Sequence, residues 1–205
     1  GNKFANDAIA KGAIMAVVDN ESLPDQDKFF RVDDSLITLQ KLAKYRRSMW
    51  NIPVLAITGS NGKTTSKELI ATVLSGKYNV FSTPGNLNNH IGLPLTLLRA
   101  PQDVEFLILE LGANHIGEHL FLCEIARPNL GMVTNNGKDH LEGYGSIENV
   151  ILSNKELFDY LKEQNGFAFV NADDAEILRM AEGLNYETYG LDSNANLRAE
   201  SISDE

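Results

Sequence analysis

Short apolar runs bounded by glycine, proline and asparagine alternate along the chain with stretches that repeat apolar residues at helical spacing. This alternation is typical of an α/β sheet whose strands are joined by crossover helices. We expect strands at residues 13–18, 29–32, 54–58, 79–82, 106–111, 130–134 and 167–171. We expect helices at residues 4–11, 36–49, 64–75, 115–126, 146–163 and 174–182. Because the central runs are continuously apolar and their connections are short, the sequence predicts a mostly parallel sheet flanked by helices on both faces.

The same pattern predicts which side chains are buried. The run at 13–18 has the composition of a buried strand. The helix at 36–49, which Asp34 and its neighbours can cap, has one apolar face made of Leu36, Leu39, Leu42 and Ala43. In the helix at 64–75, the residues expected to be buried are Leu69, Ile70, Val73 and Leu74.

Pro53 interrupts the chain, and a more regular series of strands and helices begins at Val54. We therefore divide the sequence into residues 1–50, a remnant of a small α/β domain, and residues 51–205, part of a larger α/β domain. In open parallel sheets ligands bind at the carboxyl ends of the strands. The segments that follow the strands of residues 51–205 are therefore where functional side chains are expected.

Composition narrows the class of protein. The chain has 205 residues, of which 28 are acidic and 18 basic, and its formal net charge is −10. Such a balance argues against binding to nucleic acid or anionic lipid, so an anionic ligand must be held by a local device. The single cysteine, Cys123, excludes a disulfide framework within the chain. Since no apolar run approaches the roughly 20 residues that span a bilayer, we expect a cytoplasmic protein without membrane insertion.

A glycine-containing loop directly follows the strand at 54–58. Its sequence is Thr58-Gly59-Ser60-Asn61-Gly62-Lys63-Thr64-Thr65. The glycines let backbone N–H groups converge on a phosphate, Lys63 would reach the terminal phosphates of a nucleotide, and Thr64 would place a hydroxyl on Mg²⁺. An ordinary turn can contain the same Gly-Lys-Thr tripeptide, but here a strand precedes it and a helix follows. The usual spacing requires glycine where Ile57 stands, so the loop is a shortened variant that points away from GTPases and common ATPases.

Two neighbouring segments add polar groups. Glu110 lies near the end of the apolar run 106–111, and a buried carboxylate needs a partner, either Mg²⁺, a lysine or the start of the next helix. The loop at 83–94 contains Asn88 and Asn89. Its asparagines either make turns or present amides to a nucleotide.

His140 and Lys155 are the remaining candidates. His140 follows the strand at 130–134, and Lys155 lies in the helix at 146–163. Taken alone, a single histidine is more often a surface or core residue than a ligand, and a lysine followed by Glu156 is ordinarily a solvated helix face.

Four ordered segments together resemble the Mur ligases, and this resemblance covers nearly the whole chain. The segments are Thr58–Thr65, Gly85–Pro94, Glu110–Glu118 and His140–Ser146. The resemblance implies a P-loop-type central domain for residues 51–205 and the end of a UDP-sugar-binding N-terminal domain for residues 1–50. The asparagine-rich loop and Gly112-Ala113-Asn114-His115 favour the branch that adds D-alanyl-D-alanine.

The activity implied by the resemblance is ATP-dependent, ADP-forming amide ligation in cytoplasmic peptidoglycan precursor synthesis. ATP would phosphorylate the terminal carboxylate of a UDP-N-acetylmuramoyl-tripeptide, and the amine of D-alanyl-D-alanine would attack the acyl phosphate. Such phosphoryl transfer mainly requires positioning and neutralisation of charge. We expect a monomer.

The resemblance also implies roles for individual residues. Lys63, His140 and Lys155 are the expected catalytic residues. Thr64 and Glu110 would hold one Mg²⁺, and His140 a second. Lys155 matches a lysine that CO₂ carbamylates in several Mur ligases and that would support the second metal. The expected nucleotide-binding residues are Thr58, Gly59, Ser60, Asn61, Gly62, Lys63, Thr64, Thr65, Asn88 and Asn89.

The sequence departs from the family pattern in its extent. It begins abruptly and stops before the family's C-terminal domain, so we expect this 205-residue piece to bind Mg-nucleotide weakly and not to ligate alone. A relative such as folylpolyglutamate synthase is an alternative enzyme. A non-catalytic nucleotide-binding module is an alternative of another class, and it would have no need for Glu110, His140 and Lys155 to converge.

Overall fold

The computed structural model describes residues 1–24, 26–137, 141–191 and 194–199. The strands of this part of the chain are β1 (Ala16–Val18), β2 (Phe29–Arg31), β3 (Val54–Thr58), β4 (Val80–Ser82), β5 (Phe106–Glu110), β6 (Leu130–Val133), β7 (Phe167–Asn171), β8 (Asn185–Gly190) and β9 (Leu197–Arg198). The helices are α1 (Ala5–Ala10), α2 (Ser35–Ser48), α3 (Lys63–Leu74), α4 (Gly92–Arg99), α5 (Glu118–Ala126), α6 (Leu141–Tyr144), α7 (Ile147–Glu163) and α8 (Ala175–Met180).

The described strands form two parallel sheets. β1 pairs with β2, and the second sheet has the order β4-β5-β3-β6-β7-β8-β9. The predicted parallel α/β architecture is therefore confirmed. After β3 the chain adds β4 and β5 on one side and then crosses to β6 on the other. The carboxyl end of β3 thus lies where the strand order reverses, which is where a ligand crevice opens in such sheets.

The seven-stranded sheet is covered on both faces around β3. On one face Val54 and Ala56 pack with buried residues of α4, α5 and α7. On the other face Leu55 and Ile57 pack against α3 through Ile70 and Leu74. This two-sided cover explains why β3 is buried at each position, as continuous apolar strands require.

The small sheet corrects one prediction. Within the apolar run at 13–18 only Ala16–Val18 forms a strand, and Ile14 is 90% exposed. Ala16 and Val18 pack with Ala5 of α1, whereas Val17 points to the other face and is half-exposed. Helix α1 covers one face of this two-stranded sheet, so alternate side chains stay in contact with solvent.

Helix α3 is buried on a different face from the one predicted. Ile70 and Leu74 pack against the sheet as expected, but Leu69 and Val73 lie on the outer face and are largely exposed. The inner face continues one turn toward the N-terminus to Lys67, whose side chain is fully buried. Lys67 completes the apolar stripe on the inner face, but its charge makes this position look polar. A hydrophobicity pattern therefore does not reveal which face of α3 is buried.

Helix α2 packs against α4 and α5, and its Ala43 belongs to the main core. Asp34 caps it, because its carboxylate accepts a hydrogen bond from the Ile37 N–H at 2.8 Å. Of the predicted apolar face, Ala43 is buried but Leu42 is half-exposed. Near its C-terminus, Arg47 donates to the carbonyls of Ala126 and Arg127 at 2.7 and 2.8 Å.

Four of the described elements, α4, α6, β8 and β9, were not predicted. Helix α4 lies in part within the segment assigned to the asparagine-rich loop, and strands β8 and β9 carry few apolar residues. No helix in the described ranges is long and apolar enough to cross a membrane.

Candidate functional site

The loop between β3 and α3 has the backbone that its glycines suggest. Gly59 and Gly62 have φ angles of +126° and +80°. A Cβ atom at Gly59 would lie 2.2 Å from the Thr134 hydroxyl oxygen. Because no side chain fits there and L-residues rarely adopt this φ, glycine is required for the close approach of the loop to the segment after β6.

That segment fixes part of the loop. The N–H groups of Ser60 and Asn61 donate to the Asn135 carbonyl and side-chain oxygens at 2.9 and 3.1 Å. The Ser60 hydroxyl in turn accepts from the Gly137 N–H at 2.7 Å. We expected the N–H groups of Ser60 and Asn61 to face a phosphate, but Asn135 uses both. The first turn of α3 from Lys63, where helices leave N–H groups without an internal partner, is therefore where an anion could be received.

Lys63 is half-buried and folds back over the loop. Its ammonium donates to the Gly59 carbonyl and, at 3.2 Å, to the Ser60 carbonyl. These bonds hold a positive charge at the mouth of the loop. Both carbonyls are neutral acceptors, so an anion entering the loop would compete with them for the ammonium.

Thr64, Glu110 and Asn88 meet above the ends of α3 and β5. The Thr64 hydroxyl donates to one carboxylate oxygen of Glu110, and the Asn88 amide donates to the other, each at 2.9 Å. Glu110 is 3% exposed. A hydroxyl and a carboxylate are the hard oxygen ligands that Mg²⁺ prefers, and the remaining positions of such an ion are usually filled by water and phosphate. The predicted pair Thr64 and Glu110 is therefore brought together and fits a magnesium ion.

Lys67 is a buried cation that sequence reasoning missed. Its ammonium donates to the Thr83 carbonyl at 2.7 Å and lies 3.9 Å from Glu110 Oε2. Exposed Glu68 lies within 3.1 Å of it. The sequence signal was available, since Lys67 is one helical turn after Lys63 and a lysine was one of the possible partners for Glu110.

Asn89 has a local structural role. Its side-chain oxygen accepts from the N–H groups of Ile91 and Gly92 at 3.1 and 2.9 Å, which caps the start of α4. Asn88 turns toward Glu110 instead. We predicted both asparagines in the nucleotide environment. In the structure Asn89 caps a helix, whereas Asn88 contacts the Glu110 carboxylate.

Two cavities meet at the loop. The loop cavity, of about 330 Å³, is lined by residues 60–65, Asn88 and Glu110. The amide cavity, of about 270 Å³, is lined by Gly59, Lys63, Asn86, Asn88, Asn89, Leu111, Gly112, Ala113, Asn114, His119, Tyr144, Val150 and Asn154. Lys63 and Asn88 belong to both linings, so two ligands could approach each other across them.

A buried polar network lies at the base of the amide cavity. His119 Nε2 is 2.6 Å from the Thr58 hydroxyl, which donates to the Asn154 side-chain oxygen at 3.0 Å. Burial lowers the pKa of His119 to about 4, so the imidazole is neutral at physiological pH. Thr58, predicted to bind nucleotide, is fully buried and instead supports the loop from below. His119 and Asn154 were not predicted.

Lys155, the predicted site residue of helix α7, contacts another residue of the same helix. The Lys155 ammonium forms an ion pair with Asp159 one turn further on, and its side chain is 37% exposed. The α7 side chains that line the amide cavity are Val150 and Asn154. Lys155 is therefore not among the described residues that line this cavity, and its catalytic role stays a prediction. His140 lies outside the described residues, and among those residues no group of three or more His, Cys, Asp or Glu side chains is placed to hold a metal.

Comparisons with known proteins agree with this geometry. The Mur ligase middle domain family matches residues 57–205. The chain is 35% identical over 206 residues to the UDP-N-acetylmuramoyl-tripeptide--D-alanyl-D-alanine ligase of Bacillus subtilis (strain 168), covering 99% of this chain and 44% of that protein. It is 40% identical over 175 residues to the Escherichia coli (strain K12) ligase of the same name, covering 85% and 38%.

A solved structure matches as well. The crystal structure of MurF ligase from Thermotoga maritima in complex with ADP superposes with a TM-score of 0.83 at 33% identity, over 93% of this chain and 44% of that one. The chain spans less than half the length of these relatives. Since the family match covers well over half of the sequence, the chain belongs to the Mur ligase family.

Proposed function

We propose that this chain forms the ATP-binding core of a ligase that adds D-alanyl-D-alanine to a UDP-N-acetylmuramoyl-tripeptide. The observation that carries the proposal is the shared wall of Lys63 and Asn88 between the loop cavity and the amide cavity. A nucleotide phosphate in the first cavity and a carboxylate in the second would meet beside Lys63. The names of the curated relatives and the ADP complex of the Thermotoga maritima enzyme support the choice of substrates.

The loop cavity has the groups that a nucleotide needs. The first turn of α3 would receive the phosphates, and Lys63 would leave its loop carbonyls for the terminal phosphate. Thr64 and Glu110 would hold Mg²⁺, which on binding neutralises charge on the phosphates. A second Mg²⁺ on His140 remains a prediction.

The amide cavity suits a carboxylate. Among the described residues of its lining, Lys63 is the one with a formal charge, and Asn86, Asn88, Asn114 and Asn154 also line it. Amide N–H groups and an ammonium donate hydrogen bonds to a carboxylate without repelling it. The cavity would therefore hold the terminal carboxylate of the UDP-linked tripeptide.

The reaction proceeds in two steps. A carboxylate oxygen attacks the γ-phosphorus of ATP. The bond from that phosphorus to the oxygen bridging the β- and γ-phosphates breaks, so ADP departs and the substrate becomes an acyl phosphate. The amine of D-alanyl-D-alanine then attacks the carbonyl carbon, inorganic phosphate departs with the original carboxylate oxygen, and the amine loses a proton. Lys63 contributes by holding both anions at one place and offsetting their repulsion.

The wider role follows from the same proposal. We assign the activity to cytoplasmic peptidoglycan precursor synthesis, and through it to cell wall formation, cell shape and division, with the protein acting as a monomer. Residues 1–50 would belong to the UDP-sugar-binding domain and residues 51–205 to the central ATPase domain.

The test is a substrate panel with the longest natural chain that contains this sequence. With ATP, UDP-N-acetylmuramoyl-tripeptide and D-alanyl-D-alanine, mass spectrometry should detect the pentapeptide product and ADP, and Lys63→Met should abolish both. ATP-dependent addition of glutamate to folate instead would favour the folylpolyglutamate synthase alternative. Nucleotide binding without either product would favour a non-catalytic module.

A further inference from the structure

We infer that helix α7 supplies a fixed neutral amide, Asn154, to the amide cavity, and that this protein works without a carbamylated lysine. The inference deepens the proposed ligase function and rests on it. It contradicts the family-based expectation that Lys155 carries a carbamate beside a second metal. Two observations carry it, the ion pair of Lys155 and the position of Asn154.

The surroundings of Lys155 disfavour a carbamate. Carbamylation joins the neutral amine nitrogen to the carbon of CO₂ and releases a proton, so it requires an unprotonated lysine. Asp159 forms an ion pair with the ammonium, and this pair would be lost if the amine became a carbamate. A carbamate at the same place would carry a negative charge beside the Asp159 carboxylate, which would repel it.

Asn154 occupies the cavity side of α7 and is held at both ends of its amide. It is 3% exposed. Its oxygen accepts from the Thr58 hydroxyl at 3.0 Å, and its nitrogen donates to the Asn136 side-chain oxygen at 2.9 Å. Thr58 is the first residue of the glycine-containing loop, and Asn136 directly follows Asn135, which accepts from the loop N–H groups. Asn154 therefore joins both sides of the loop, which makes it a positioning residue.

The hydrogen bonds around Asn154 extend to His119. The Thr58 hydroxyl lies 3.0 Å from the Asn154 side-chain oxygen and 2.6 Å from His119 Nε2, and it has a single proton to donate. On its other side, His119 Nδ1 lies 3.0 Å from both the carbonyl and the hydroxyl of Ser153. Asn154 and His119 therefore share the Thr58 hydroxyl, so a change at Asn154 alters the hydrogen bonding of the His119 ring.

The first experiment looks for the carbamate directly. The protein is equilibrated with ¹³C-bicarbonate and observed by ¹³C NMR, with the carbamate of free lysine at alkaline pH as the standard. We expect no protein carbamate signal, and ligase velocity unchanged when CO₂ is removed. A carbamate signal that disappears in Lys155→Met would overturn the inference. The ¹³C NMR measurement needs no ligase activity, so it separates failure of the inference from failure of the proposed function.

The second experiment tests the positioning role of Asn154 by ¹⁵N NMR of the His119 ring. Asn154→Ala removes one of the two partners of the Thr58 hydroxyl, so the ¹⁵N shifts of the ring should differ from those of the wild type. Asn185→Ala, an exposed change on β8, is the control and should leave the ring unchanged. An unchanged ring in Asn154→Ala, or in Asn154→Ser if Asn154→Ala fails to fold, would contradict the role.

Discussion

The Thr64 hydroxyl donates to Glu110 Oε2 at 2.9 Å and so joins the first turn of α3 to the end of β5. The two residues are 46 positions apart in the sequence. Parallel pairing of β3 with β5 brings them together, because it aligns Ile57 with Glu110 and ends both strands at the same edge of the sheet. The contact marks where the loop cavity can hold a metal bound to phosphate.

Replacing either Thr64 or Glu110 should weaken the nucleotide binding that depends on the metal. We expect Thr64→Val and Glu110→Gln to lower the affinity for ADP in the presence of Mg²⁺ by at least about 10-fold, since the first removes a hydroxyl ligand and the second the negative charge of the carboxylate. Affinity measured in EDTA should change little. Isothermal titration under both conditions checks this, with Thr72→Val, an exposed change on α3, as the matched control. An equal loss with and without Mg²⁺ would show that the pair acts on the fold and not on the metal.

The buried ammonium of Lys67 should make a large contribution to stability. Lys67→Met would leave the Thr83 carbonyl and Glu110 without their cation in a buried site. We expect the free energy of unfolding to fall by about 2–4 kcal/mol. Urea denaturation of this variant and of Lys41→Met, an exposed change on α2, gives the comparison. Equal stability of the two variants would mean that the buried contacts of Lys67 contribute nothing net.

His119 should make the fold sensitive to acid. Its pKa is about 4 in the folded protein because burial disfavours the charged imidazole, against 6.5 ordinarily. Between these values the unfolded chain binds a proton that the folded chain does not, so stability should fall as pH drops from about 6.5 to about 4, by ~3 kcal/mol in total. Thermal denaturation across this range should show a weaker pH dependence for His119→Gln. The exposed His115→Gln serves as control, and identical pH profiles for wild type and His119→Gln would refute the assignment.

The cap of α4 can be tested apart from the chemistry. Asn89→Ala removes the acceptor for the Gly92 N–H and should lower the free energy of unfolding by about 1 kcal/mol. Asn89→Ser retains an acceptor and should restore most of the loss. If Asn89→Ala left stability unchanged but weakened nucleotide binding, the original assignment of Asn89 to the nucleotide environment would be preferred.

The sequence predicted the parts of the fold that local pattern controls. The strands around the loop follow from the apolar runs, and the turn of the loop follows from Gly59 and Gly62. The meeting of Thr64 with Glu110 was implied by the resemblance to the Mur ligases. Lys67 was missed because its charge hides the inner face of α3 from a hydrophobicity pattern, although its spacing from Lys63 and the need of Glu110 for a partner pointed to it. The places of Asn154 and Lys155 depend on the rotation of α7, which a shift of one residue changes by about 100°.

The central claim is that a carboxylate in the amide cavity accepts a phosphoryl group from ATP in the loop cavity. The most direct measurement uses the longest natural chain with UDP-N-acetylmuramoyl-tripeptide labelled with ¹⁸O in its terminal carboxylate, together with ATP and D-alanyl-D-alanine. The account predicts that each inorganic phosphate released carries an ¹⁸O atom from that carboxylate. Formation of the amide with unlabelled phosphate would contradict it.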